Sequence, residues 1–182
     1  MAIRPRRKSS HSGEKTGSQF GIASPEQLRQ LINDKLPDGA EVLSFVAKTF
    51  GIRVEYLPLD SESSGKLTFD KTLDQWKITI NSLHHPKRQR FTFAHELAHF
   101  FLHKDKQSNF SDTVFFRSEN VRSNIEFEAN NFAGALLMPK AEFVDFIRNE
   151  SNRIEDISER FNVSAMAVKV RADVIRGGNY EY

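Results

Sequence analysis

His95, Glu96 and His99 are the residues of this chain best suited to do chemistry together. They form the pattern H-E-x-x-H, read along the chain as His95-Glu96-Leu97-Ala98-His99. Residues four apart on a helix share a face, so the two imidazoles can grip one ion. Glu96, next to the first of them, suits proton transfer to and from a water at that ion. The flanks predict a buried helix over about 90–104, because Phe91, Phe93, Ala94, Leu97, Ala98, Phe100, Phe101 and Leu102 surround the polar residues. His103, one turn beyond His99, is read as supporting the site from behind, since three imidazoles in line on one straight helix do not surround an ion.

A catalytic site of this kind needs a third protein ligand and an open position. The chain has no cysteine, so that ligand must be an imidazole or a carboxylate, and disulfides are excluded. The best donor is a predicted helix over about Asn124–Leu137, which carries Glu126 and Glu128 among Ala, Phe and Leu. An acid in such company is costly to bury unless something pairs with it. Glu126 is preferred, because Asn130 one turn later can hydrogen-bond the imidazole of a ligand and fix its tautomer. Glu128 is the alternative. Ala129 and Ala133 would let this helix approach the first closely. A donor to the developing oxyanion is expected, and His84, His85 and Arg117 are candidates from flanking loops.

The elements that must position these residues follow from caps and periodicity. Ser24-Pro25-Glu26 starts a helix carrying Leu28, Leu31, Ile32 and Leu36. A second helix bears Val42, Phe45, Val46 and Phe50, with Gly51 at its C-terminal cap. Ile52, Val54 and Tyr56 alternate with polar residues and predict a strand; Ser61 to Gly65 reads as a turn, Leu67 and Phe69 as a second strand, and Trp76, Ile78 and Ile80 as a third. Asn81–Gln89 reads as a polar loop. Val114-Phe115-Phe116 suggests one more strand, an edge on which a substrate could lie in extended form. A helix follows Pro139, and two more, about 154–160 and 165–176, are joined by a short turn at 161–164. Strands cluster early and helices outnumber them, which says α+β.

The run from Arg90 to His103, RFTFAHELAHFFLH, together with that from Glu126 to Pro139, EFEANNFAGALLMP, resembles the ImmA/IrrE family of metallo-endopeptidases. Gly51–Tyr56 and Trp76–Asn81 are similar to that family's strands ahead of the active helix. The likeness covers about residues 25–150. It implies a zincin-like fold, with a small, mainly antiparallel sheet of three to four strands packed on an active-site helix pair and extra C-terminal helices. It implies one divalent metal, zinc before manganese or iron, on His95, His99 and Glu126, with Glu96 as general base. It also implies a protein substrate, a transcriptional repressor of the helix-turn-helix type, in a phage, mobile-element or stress-response circuit.

The remaining expectations concern organisation. Residues 1–20 hold Arg4, Arg6, Arg7 and Lys8 with little to bury, and read as a disordered basic tail. The metallopeptidase domain is expected over 21–150 and a helical hairpin over 151–182. The formal charge of +2 is close to balance, weak support for a nucleic-acid partner. Even so, the segment 154–176 looks like a helix-turn-helix, with Ser164 capping a helix that carries Lys169, Arg171 and Arg176. The alternative function is therefore a DNA-binding or toxin-antitoxin-associated protein with a structural metal site. The basic start has no apolar segment behind it and no run is long enough to span a membrane, so a cytoplasmic protein is expected.

Overall fold

The computed structural model describes residues 21–105, 109–113 and 123–177. The basic tail at 1–20 and the Val114-Phe115-Phe116 segment lie outside them. Seven helices and one four-stranded sheet are seen among the described residues.

Helix α1 (Pro25–Lys35) opens with a full capping box: the Ser24 hydroxyl accepts from the Gln27 amide, and the Gln27 side chain accepts from the Ser24 amide. Helix α2 (Val42–Thr49) is capped by the Glu41 carboxylate, and Gly51 follows with φ of +67°. That left-handed conformation costs glycine little, which is why the chain turns into strand β1 (Arg53–Leu57) there. Strands β2 (Ser63–Asp70) and β3 (Gln75–Asn81) form a hairpin, and β4 (Asn109–Thr113) completes the sheet in the order β1-β3-β2-β4. β1 runs parallel to β3, while β2 is antiparallel to both β3 and β4. The sheet is thus mixed but mainly antiparallel. β3 is central, and its last four residues are all buried.

Two expectations change here, while the strand expected at Val114-Phe115-Phe116 falls outside the described residues. The segment Ser63–Gly65 is not a turn but the start of β2, with an irregular register against β4 between Ser63 and Gly65. The glycine serves a close approach rather than a bend. Helix α3 (Pro86–His103) begins four residues earlier than the apolar pattern suggested: Pro86 is its first residue, and the His85 ring accepts from the Lys87 amide. Proline needs no amide partner at that position and has the right φ, so the polar stretch is a helix start.

α3 is buried continuously from Phe91 to Phe100. It lies between the sheet and helix α4 (Ser123–Leu137), with α2 alongside. Aromatic rings bind these layers. Phe69 meets Trp76 at 5.4 Å, Trp76 meets Phe100 at 6.0 Å, and Phe50 meets Phe101 at 4.8 Å. Phe101 stacks on Phe132 of α4 at 6.1 Å. Edge and offset contacts of this kind add to the burial of the rings themselves. Ala129 and Ala133 of α4 are fully buried, consistent with close packing on α3. Helices α5 (Lys140–Asn149), α6 (Ile154–Phe161) and α7 (Ala165–Gly177) follow. Phe143 and Phe146 of α5 pack on Phe161 of α6. Asn162 adopts the left-handed conformation that ends α6, and the Ser164 hydroxyl accepts from the Ala167 amide to start α7.

Candidate metal centre

α3 carries four titratable groups into the interior: His95, Glu96, His99 and His103 are each at most 1% exposed. Such groups are tolerated only where hydrogen bonds or a bound ion compensate the lost water. α4 supplies the compensation. The Nε2 atoms of His95 and His99 lie 2.9 Å apart. Glu126 Oε2 stands 3.2 Å from the first and 3.5 Å from the second. Ligand atoms bonded at about 2.05 Å to a tetrahedral zinc are about 3.3 Å from one another. The three observed separations bracket that value.

The hydrogen-bond pattern behind the rings matters as much as the spacing. His95 Nδ1 is 3.1 Å from Asn130 Oδ1, an acceptor, so the proton of the neutral ring sits on Nδ1 and the Nε2 lone pair points inward. His99 Nδ1 is 3.1 Å from His103 Nδ1, and His103 Nε2 is 2.9 Å from Glu128 Oε2. The Glu128 carboxylate accepts from His103 Nε2–H. A cation between the two rings would take both Nε2 lone pairs, with His99 Nδ1–H donating to His103 Nδ1. Two imidazole nitrogens and a carboxylate oxygen converge within 3.5 Å, a donor set that suits a cation. His95, His99 and Glu126 are thus a group that could hold a metal ion.

The titration behaviour agrees. Burial holds the His99 imidazole down to about 4, against the opposing pull of the Glu126 carboxylate, so the ring is neutral at physiological pH. Burial pushes the Glu126 carboxyl up, but the His95 and His99 rings beside it outweigh that and leave the group well below the ordinary range. Neutral imidazoles and an ionised carboxylate are the forms that bind divalent metals.

Glu96 faces the sheet. A Cβ built on Gly65 of β2 would come within 3.1 Å of Glu96 Oε1, 2.6 Å of Thr92 Cγ2 and 3.1 Å of the Thr79 carbonyl. Only glycine lets β2 pass this close to the carboxylate. Asn81 ends β3 nearby and clasps the preceding loop: its side-chain amide donates to the carbonyls of Leu59, Asp60 and Ser63, the last at 2.8 Å, and its carbonyl accepts from the Leu59 and Leu83 amides. The pattern reading found neither Gly65 nor Asn81. Their sequence signals, a glycine at a strand start and an asparagine at a strand end, look like ordinary turn chemistry.

Other sequence candidates sit apart. His85 caps α3 ten residues before His95, and at about 1.5 Å of rise per residue it is about 15 Å away along the axis. His84 is adjacent to it in the chain and lies within 3.5 Å of the Asn81 side chain. Arg117 lies outside the described residues. Glu128, the alternative third ligand, contacts His103 and not the imidazole pair at the centre.

Comparison with known proteins follows the same line. The profile of the peptidase family described as the IrrE N-terminal-like domain matches residues 47–173. The radiation response metalloprotease IrrE of Deinococcus radiodurans is 31% identical over 132 residues, covering 70% of this chain and 38% of that protein. The metallopeptidase ImmA of Bacillus subtilis is 33% identical over 118 residues, covering 63% of this chain and 65% of that protein. The chain thus spans less than two thirds of either relative's length. A solved structure of a Mycobacterium tuberculosis transcriptional regulator aligns over 82% of this chain and 39% of its own, with a TM-score of 0.43 and 21% identity.

Proposed function

The chain belongs to the IrrE N-terminal-like peptidase family, and we propose that it is a zinc-dependent endopeptidase. The observation that carries this reading is the convergence of His95 Nε2, His99 Nε2 and Glu126 Oε2 on one point between two buried helices. These three residues would hold the metal, zinc in preference to manganese or iron, since the donors are imidazole and carboxylate without thiolate. A divalent cation in this seat supplies Lewis acidity, acidifying water toward neutral pH and polarising the scissile carbonyl.

The protein's own groups do the rest. Glu96 is the general base: it takes the proton from the attacking water and delivers it to the leaving amine. Gly65 and Thr92 hold that carboxylate against the sheet. Asn130 and the pair His103–Glu128 hold the imidazole rings in the tautomers that ligation needs. The outer strand of the sheet, next to β2, offers backbone groups along which a substrate segment would lie extended. In this reading the peptidase unit runs over 21–150 and the hairpin of 151–182 packs beside it. The substrate is a helix-turn-helix repressor, on the strength of the family resemblance, and the reaction is cytoplasmic.

The test is Glu96→Gln. The variant should fold, retain one equivalent of zinc by elemental analysis, and lose cleavage of a repressor encoded by an adjacent gene by roughly 10²–10⁴-fold. A folded variant that has lost its metal, or that cleaves at the parent rate, overturns the assignment.

A further inference from the structure

We propose that Arg88, Ser64 and Asn81 are positioning residues for the general base: they pin a one-residue bulge in β2, and the pinned bulge fixes the backbone wall against which Glu96 stands. The proposal rests on the reading of Glu96 as base and names what holds it in place.

The bulge is visible in the register. Ser63 pairs with Thr113 of β4, and the next pair is Gly65 with Asp112, so β2 uses two residues where β4 uses one. Ser64 is the extra residue. A bulge gives up ladder pairing and bends its strand, so it keeps a single shape only where other contacts hold it. Two such contacts come from different elements. Ser64 is fully buried, and its hydroxyl accepts from Arg88 Nη2 of α3 at 2.9 Å. The Ser63 carbonyl, on the peptide just before it, accepts from Asn81 Nδ2 at 2.8 Å. Asn81 is 1% exposed and its amide has one orientation: the same nitrogen donates to the Leu59 and Asp60 carbonyls, while its oxygen accepts from the Leu59 and Leu83 amides. The bulge is thus tied to α3 on one side and to the end of β3 on the other.

The consequence falls on the next residue. Gly65 follows Ser64 directly, and a Cβ there would stand 3.1 Å from Glu96 Oε1 and 2.6 Å from Thr92 Cγ2. Arg88, Thr92 and Glu96 succeed one another at intervals of four on α3, so one stripe of that helix meets Ser64 and then Gly65. The tie and the carboxylate it serves share that stripe. If the bulge is released, β2 relaxes and the carboxylate settles elsewhere, where an error of about 1 Å is enough to slow proton transfer. The bonds that hold the bulge do not involve His95, His99 or Glu126, so the metal seat should survive their loss.

The experiment compares the full chain with Ser64→Ala, Arg88→Met and Asn81→Asp. Asn81→Asp keeps the shape of the side chain but turns a carboxylate oxygen toward three carbonyls. Each variant should retain one equivalent of zinc by elemental analysis. In cleavage of a repressor encoded by an adjacent gene, kcat should fall by roughly 10–100-fold while KM stays within about twofold. Ser64→Ala and Arg88→Met cut the same tie, so the double variant should be within about twofold of the slower single one. Crystal structures of the parent and of Ser64→Ala, which removes a single buried oxygen, supply a readout independent of turnover. The Glu96 carboxylate should move by about 0.5 Å or more, or occupy a second rotamer. Parent-like kcat in Ser64→Ala, fully additive losses in the double variant, or an unmoved carboxylate overturns the proposal. A fall in kcat that tracks a loss of zinc overturns it too, since the whole centre and not the base would then have shifted. Failure of the underlying reading looks different: Glu96→Gln would cleave at the parent rate, while the carboxylate position in Ser64→Ala would still decide whether the bulge places it.

Discussion

At the scale of single residues, the centre is defined by what burial does to ionisation. His99 is 1% exposed and its pKa is lowered to about 4, whereas an imidazole in the unfolded chain titrates near 6.5. Between those values the unfolded chain binds a proton that the folded chain does not. Stability is therefore fully present above about pH 6.5 and falls as the pH drops toward 4. Glu126 acts in the same direction: its carboxyl is lowered in the fold, so its contribution is present above the unfolded value and is lost on further acidification. The metal-free chain should lose about 2 kcal/mol between pH 7 and pH 5 from His99 alone. Urea titrations in the presence of chelator measure this. His99→Asn should flatten the profile over that interval, and an equally steep profile in that variant would show that other groups are responsible.

At the scale of elements, the site is the product of three surfaces brought within side-chain reach: α3, α4 and the edge of β2. Each contributes something the others cannot. α3 spaces two imidazoles by one turn, α4 brings the carboxylate to them, and β2 passes close enough to back Glu96 because residue 65 has no side chain. Gly65→Ala would put a methyl group 2.6 Å from Thr92 Cγ2 and 3.1 Å from Glu96 Oε1, with a backbone carbonyl on the remaining side. α3 and β2 must separate slightly, at a cost of about 1–3 kcal/mol, and the carboxylate must turn. Zinc content should be unchanged while kcat falls by more than about tenfold, because the atoms nearest the added methyl belong to Thr92, Glu96 and Thr79 and not to the three ligand residues. Thermal melts, metal analysis and a cleavage assay on one preparation separate the three effects. Parent-like kcat would remove Gly65 from any role in placing the base.

At the scale of the whole molecule, the C-terminal helices are attached to the site rather than held out for a separate partner. Arg171, the central basic residue of the helix-turn-helix-like segment, is 4% exposed. Its Nε donates to the Met138 carbonyl at 3.0 Å and its guanidinium reaches Asn131 Oδ1 at 3.5 Å. It satisfies a carbonyl just past the end of α4, a group a helix leaves without an internal partner. The other end of the hairpin is tied to α3, where the Lys87 ammonium contacts Ser158 at 3.1 Å and pairs with Glu159. The basic side chains left exposed on α7, Lys169 and Arg176, are interrupted by Asp173, 4.0 Å from Arg176. A DNA-reading helix needs its arginine at the groove, and here the arginine is spent on packing. Arg171→Met should cost about 1–3 kcal/mol by leaving buried acceptors unpaired, and should speed amide exchange at the end of α4 and in α7. Lys169→Ala and Arg176→Ala should stay within about 0.5 kcal/mol of the parent. The full chain should shift no duplex DNA at physiological salt, and a salt-sensitive shift abolished by those two exposed substitutions would favour the DNA-binding alternative.

The local code carried a great deal of this. Ser24 with Pro25 announced α1, Gly51 marked the turn into β1, and the alternation through Trp76, Ile78 and Ile80 drew β3, because capping and periodicity act within a few residues of chain. The two imidazoles and the neighbouring Glu96 were legible for the same reason: one helical turn is a local distance. Glu126 could be weighed against Glu128 but not separated from it by spacing alone, since both acids sit on one helix and the choice depends on how that helix is rotated against α3. Packing of Phe101 on Phe132 and of the buried alanines of α4 sets that rotation. The same long-range packing turned Gly65 from an apparent turn residue into the gap that admits Glu96, and took Arg171 out of a would-be DNA-binding face. Sequence alone determined the seven described helices, three of the four described strands and the candidate ligand types, all set by neighbours in the chain. Only the tertiary structure decided which carboxylate meets the imidazoles and which braces them from behind, because that depends on contacts between segments about 25 residues and more apart, where no periodicity reaches.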